Sequence, residues 1–225
     1  MPDELSNRIP EPELMDGHEQ ARAYAEADFQ QPHDMFVQAF RERLGTPESG
    51  TYLDLGCGTA DISCRFAKTF PETKIHGIDG SAAMLGFARG IVDSRGLSSR
   101  ISLFNMRIPT KHLPKKGYHG VIVNSLLHHL PDPSALWKTI KQAAGPGAPV
   151  FIMDLLRPRT KADARSIVET YSGNEPEILK RDFYNSLLAA YRPEEIKSQL
   201  EREGMDFLRV EVISDRHFLV WGYYE

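Results

Sequence analysis

The chain has 225 residues, 41% of them hydrophobic and 26% charged, with 17 Gly and 15 Pro. These values suit one well-buried domain and exclude a disordered or fibrous chain. A formal net charge of −4 supplies no general positive field to hold a polyphosphate backbone, so nucleic acid is an unfavoured partner. The opening MPDELSNRIPEPELMD lacks the positive start and apolar run of a signal peptide, and no stretch approaches the ~20 apolar residues of a membrane helix. A cytoplasmic protein without membrane contact is expected.

In chain order, residues 1–50 read as helical. EQARAYAEADF is followed by an interruption at Pro32, and DMFVQAFRERLG then sets Phe36, Phe40 and Leu44 on one helical face. From Thr51 the chain alternates short apolar runs at 52–55, 74–78, 101–104, 120–124 and 150–154 with helical stretches at 61–70, 81–95 and 133–144. That alternation is the mark of a parallel sheet covered on both faces. Residues 157–191 depart from it: KADARSIVETY and EPEILKRDFYNSLLAAY are both helical, the second with a stripe of Ile178, Leu179, Phe183, Leu187 and Leu188. A helix at 193–203 and strands at 206–213 and 217–223 complete the chain. Only Ser214, Asp215 and Arg216 join the last two strands, too few for a parallel crossover, so these two are expected to pair antiparallel or barely to pair, and a mixed seven-stranded sheet follows. Cys57 and Cys64 are too few for a disulfide framework and stand at no metal-ligand spacing. They read as reduced packing residues, and no metal ion is expected.

The chemistry concentrates where the first strand ends. LDLGCGTA (53–60) runs from strand through a glycine turn into the helix opening at Asp61. Gly56 and Gly58 let the backbone bend tightly and approach a ligand. The second strand ends in Asp79, about 20 residues beyond the turn, where a carboxylate is placed to accept from ribose hydroxyls. The competing role for Asp79 is to cap the helix near Ser81. A dinucleotide site would have a third glycine at position 61, but Asp61 stands there, and its carboxylate would repel a pyrophosphate. A cofactor that is cationic and free of phosphate suits the acidic surround better.

On these residues the chain resembles the class I S-adenosylmethionine-dependent methyltransferases. LDLGCGTA is similar to that family's first motif, GIDGSAAML (77–85) to its second, and NSLLHHLPDP (124–133) to the segment after its fourth strand. The resemblance implies a Rossmann-like, doubly wound sheet of order 3-2-1-4-5-7-6 with the seventh strand antiparallel. It implies that Asp54, Gly56 and Gly58 surround the methionine moiety of S-adenosylmethionine, and that Asp79 holds the ribose. Gly80 and Met84 would lie near the adenine, Asn105 and Met106 at its edge and face, and Asn124 beside the methionine portion. S-adenosylhomocysteine would be the product. The family usually has Gly at position 60 and often Asp at 105, where this chain has Ala60 and Asn105. Asn still offers an acceptor oxygen.

His128 and His129, just past the fourth strand, are the candidate catalytic pair, as a general base or as residues that shape the acceptor side; the competing role is structural packing at the start of the next helix. Tyr24, His33, Tyr184, Arg216 and His217 are lesser candidates for lining an acceptor pocket. Residues 1–50 are expected as a helical lid on a domain spanning 51–225, joined in covering the site by the insertion at about 157–191. The acceptor expected is a small molecule and the protein a monomer or homodimer. The alternatives are an RNA-modifying methyltransferase, a non-catalytic S-adenosylmethionine-binding protein and, against the glycine count, a nicotinamide-dependent oxidoreductase.

Overall fold

The computed structural model describes residues 4–11 and 17–225. Two helices, α1 (His18–Glu26) and α2 (Gln30–Leu44), precede the sheet. There follow β1 (Gly50–Leu55), α3 (Asp61–Thr69), β2 (Thr73–Asp79), α4 (Ala82–Ser94), β3 (Ile101–Asn105) and β4 (Gly120–Asn124). The second half consists of α5 (Ser134–Ala143), β5 (Pro149–Leu155), α6 (Lys161–Ser172), α7 (Glu177–Ala189), α8 (Pro193–Glu203), β6 (Arg209–Val212) and β7 (His217–Tyr223). The strands form one sheet of order β3-β2-β1-β4-β5-β7-β6. All neighbours from β3 to β5 are parallel, and β7 runs antiparallel between β5 and β6. No helix among the described residues is long and apolar enough to cross a membrane.

Side chains alternate across the pleat, so β1 feeds both cores. Tyr52 joins Phe36, Phe40, Phe66 and Phe151 on one face, while Leu53 and Leu55 join Trp137, Ile140, Ile196 and Phe218 on the other. A third cluster, built from Ala164, Val168, Leu187 and Leu188 on α6 and α7, takes in Leu5 from the N-terminal segment.

The first 50 residues divide into two roles. The middle of α2 is core, with Phe36 and Phe40 fully buried and packed edge-on against Phe151. Residues 4–11 instead lie as a strap across α7 and the loop after β4: the Leu5 amide donates to the Arg159 carbonyl and the Ile9 amide to the Leu188 carbonyl, each at 2.8 Å. Pro32 does not interrupt a helix. It stands in the first turn of α2, where an amide hydrogen has no intrahelical partner to lose. β6 is shorter than the apolar run predicts because the Leu208 amide closes a turn onto Met205.

Candidate active site

The sheet order reverses between β1 and β4, and the strand ends there leave a crevice between the loops. A cavity of about 590 Å³ occupies it, within the roughly 300–1,000 Å³ of small-molecule sites. One half is built by the loops after β1, β2 and β3. Gly56 and Gly58 both take left-handed backbone, at φ 70° and 52°. A β-carbon on Gly56 would stand 2.8 Å from the Leu126 side chain, whereas one on Gly58 would meet nothing within 4 Å. Ala60 also sits left-handed, at φ 63°, the conformation in which a glycine would be unstrained.

Asp79 ties this half together. Its Oδ2 accepts from the Gly58 amide at 2.8 Å and its Oδ1 from the Ser81 amide at 2.7 Å, so it holds the glycine turn against the head of α4. It does not cap that helix; Ser81 does, through its hydroxyl and the Met84 amide. Met84, Met106 and Ile108 supply apolar wall next to Gly80. Asn105 stands apart from the lining: exposed, it donates its Nδ2 to the Asp79 carbonyl at 3.0 Å. The position predicted to reach an adenine edge thus has its amide nitrogen committed to the β2–β3 strand ends.

Asp54 is 1% exposed and accepts from the Ser63 hydroxyl. Burial pushes its pKa up to about 7, against the Ser63 hydrogen bond and with help from the Asp79 charge. The Asn124 Oδ1 is buried without a hydrogen-bond partner although its residue lines the cavity. An orphaned acceptor of this kind carries a desolvation cost that a donor in the cavity would relieve. Two carboxylates, an unpaired carbonyl oxygen and an open glycine turn fit the ammonium, ribose and close approach of S-adenosylmethionine.

Asp61, the residue in place of a third glycine, is less bare than its sequence position suggests. His33, Arg65 and Arg95 all bind its carboxylate, at 2.6–2.7 Å. Burial alone would raise its pKa, but these partners hold it well below the usual carboxylate range. Its charge is compensated, which weakens it as a source of repulsion toward a pyrophosphate. Tyr24, also on the cavity wall, has its phenol pushed up to about 12 by burial and by the Asp61 and Asp79 charges.

The other half faces α7, the strap and the loop after β4, which passes through left-handed Ser125 (φ 52°) into a single 3₁₀ turn, Leu127–His129. His128 and His129 both line the cavity, their ring centroids 4.1 Å apart. His128 Nδ1 lies 2.5 Å from Asp154 Oδ1 and both side chains are buried; a carboxylate only accepts, so Nδ1 carries the hydrogen. The Leu127 and Leu155 amides also donate to Asp154. Burial opposes both charges, but their attraction prevails: the Asp154 pKa is lowered and that of His128 raised. Arg216 stacks its guanidinium 3.2 Å from the Tyr171 ring centre. Burial, and then the Arg216 charge, push the neighbouring His217 down to about 4. Arg216, His217 and His33 line the cavity, while Tyr184 belongs to the third apolar cluster.

Sequence reasoning missed Glu11 and Asp154. Asp154 did leave a signal, a charge at the end of the apolar run VFIMDLL, where burial demands a partner. Glu11 left none, because only the fold brings the strap to the loop after β4.

Comparison with known proteins accords with this geometry. Residues 53–150 match a family model described as a methyltransferase domain. The demethylmenaquinone methyltransferase of Geobacillus stearothermophilus is 26% identical over 117 residues, 52% of this chain and 50% of that protein. The trans-aconitate 2-methyltransferase of Variovorax paradoxus is 31% identical over 118 residues, 52% of this chain and 42% of that protein. The chain thus aligns with about half the length of these curated relatives or less. A crystal structure described as a SAM-dependent methyltransferase from Aquifex aeolicus superposes with a TM-score of 0.68 at 19% identity, covering 92% of this chain and 98% of that one.

Proposed function

We propose that this chain, whose residues 53–150 match a methyltransferase-domain model and whose fold is shared with a SAM-dependent methyltransferase structure, transfers the cofactor's methyl group to a small-molecule acceptor held under the strap and α7. Bound at the glycine turn, S-adenosylmethionine supplies an activated methyl on a positively charged sulfur, so the protein's task is positioning and exclusion of water. Asn124 Oδ1 and Asp54 accept from the amino group, Asp79 from the ribose hydroxyls, and Met84 and Met106 flank the adenine. The single observation that carries this reading is the buried, unpartnered Asn124 Oδ1 on the cavity wall beside the glycine turn.

The acceptor half supports a small molecule. Its walls combine Leu130, Leu155, Leu179 and Phe183 with a few polar groups, His128, His129 and Ser186 among them, the composition of a small-ligand pocket. Both relatives described above are named for small acceptors, demethylmenaquinone and trans-aconitate. Asp154 fixes the His128 ring, so an acceptor entering this half meets an oriented imidazole.

The test incubates the protein with methyl-labelled S-adenosylmethionine and, in parallel, a small-molecule cell extract or total RNA. Label is expected in the low-molecular-weight fraction. Label confined to RNA would replace the small acceptor by a nucleic acid, and cofactor never consumed in either arm would mark a binding protein.

A further inference from the structure

We propose that Glu11, His128 and His129 form a site for a borderline divalent cation of the zinc class, open toward the acceptor half of the cavity. Each residue offers a ligand atom, and the three atoms lie within 4.8 Å of one another. Two imidazoles and one carboxylate are the donor set of catalytic zinc sites, in which a fourth position stays open for water or substrate.

Three further observations point to a ligand rather than to a chance cluster. Glu11 Oε2 and His129 Nδ1 lie 2.6 Å apart, yet that nitrogen is buried without a hydrogen-bond partner. A cation with bonds of about 2.0–2.1 Å would hold such atoms roughly 3.3 Å apart, a small opening of the present spacing. Next, His128 commits Nδ1 to Asp154, which leaves Nε2 to bind a cation. A carboxylate behind a ligating imidazole is the common outer-shell arrangement, fixing the ring and raising its basicity. Finally, the strap that brings Glu11 is fastened to the loop that carries the histidines: Arg8 Nη2 donates to the His128 carbonyl at 2.7 Å, and the Ser186 hydroxyl donates to Glu11 Oε1. All three residues line the cavity, so the open coordination position faces an incoming acceptor.

The cation would bind an acceptor oxygen and lower the pKa of a hydroxyl there, whose proton passes to solvent before the oxygen takes the methyl group. This assigns the acceptor to molecules with a hydroxyl, enol or carboxylate oxygen able to ligate. That assignment rests on the methyl-transfer reading, whereas cation binding does not.

The experiment uses untagged full-length protein, stripped with chelator and dialysed. Zn²⁺ is titrated calorimetrically, Co²⁺ is followed by visible absorption, and S-adenosylhomocysteine is titrated on the same sample. One cation per chain is expected, with Co²⁺ bands of a low-coordinate nitrogen and oxygen site. Glu11→Gln and His129→Gln should each weaken binding at least tenfold, with circular dichroism confirming their fold. No stoichiometric Zn²⁺ uptake by the wild type, or uptake unchanged in both folded variants, overturns the site. Should the variants not fold, the wild-type Co²⁺ spectrum decides alone, and absence of those bands rejects it. Cofactor product bound without cation removes only this inference; cation bound without cofactor product removes only the methyl-transfer reading.

Discussion

At Gly58 the backbone turns left-handed and a β-carbon would project into open cavity. Alanine there incurs about 1 kcal/mol of backbone strain, roughly 2–4 °C in a domain of this size. Its methyl also enters the space a ligand would fill. Gly58→Ala is therefore expected to lower Tm by only a few degrees while weakening S-adenosylhomocysteine binding at least tenfold by calorimetry. An unchanged affinity would take this turn out of the site. Asp54 gives a prediction in pH. Its folded pKa of about 7 exceeds the ordinary carboxyl value, so the unliganded protein favours the neutral form and loses that stabilisation as pH rises through about 7. An ammonium beside it favours the charged form, so binding releases a proton. The affinity for S-adenosylhomocysteine should rise from about pH 6 and level off near pH 8, and the Asp54→Asn variant should show a flatter profile. These residues were readable because a strand end, a GxG and a carboxylate at fixed spacing are local features. Asn105 and the compensation of Asp61 were not, since both depend on what other elements bring within reach.

At the level of elements, the strap is the piece most easily separated from the fold. Arg8 holds it by donating to the carbonyls of Ala189, Leu130 and His128 and to the Tyr191 hydroxyl, and by lying 4.2 Å from the Tyr191 ring centre. Each such hydrogen bond from a charged group contributes about 1.5–3 kcal/mol at most, and they anchor a segment with little core of its own. Arg8→Ala should raise hydrogen exchange at the Leu5 and Ile9 amides while leaving β1 and β4 amides protected. Equal loss of protection in the central strands would make the strap part of the cooperative core. The central elements were legible because buried parallel strands and amphipathic helices have distinct apolar periods. The division of residues 1–50 was not, because an apolar helical stripe looks the same whether it covers a sheet, as Phe36 and Phe40 do, or a ligand.

At the scale of the whole molecule, the reversal of strand order between β1 and β4 creates one cavity with two chemistries. The acidic half is furnished by the first three strand loops, and the imidazole-bearing half is closed by the strap and α7. The mixed α/β class followed from the alternation of elements together with the short link before β7, whereas the strand order came from the family resemblance of the glycine-turn motifs. The makeup of the second half depends on long-range contacts that no local pattern encodes. The central claim is that the glycine turn and Asp79 grip an adenosine-bearing sulfonium compound. Calorimetric titration of the folded, untagged protein with S-adenosylhomocysteine and, separately, with NADH tests it most directly. The account predicts one S-adenosylhomocysteine bound per chain, at least a hundredfold more tightly than NADH. Heat from NADH alone, or from neither compound, would contradict it.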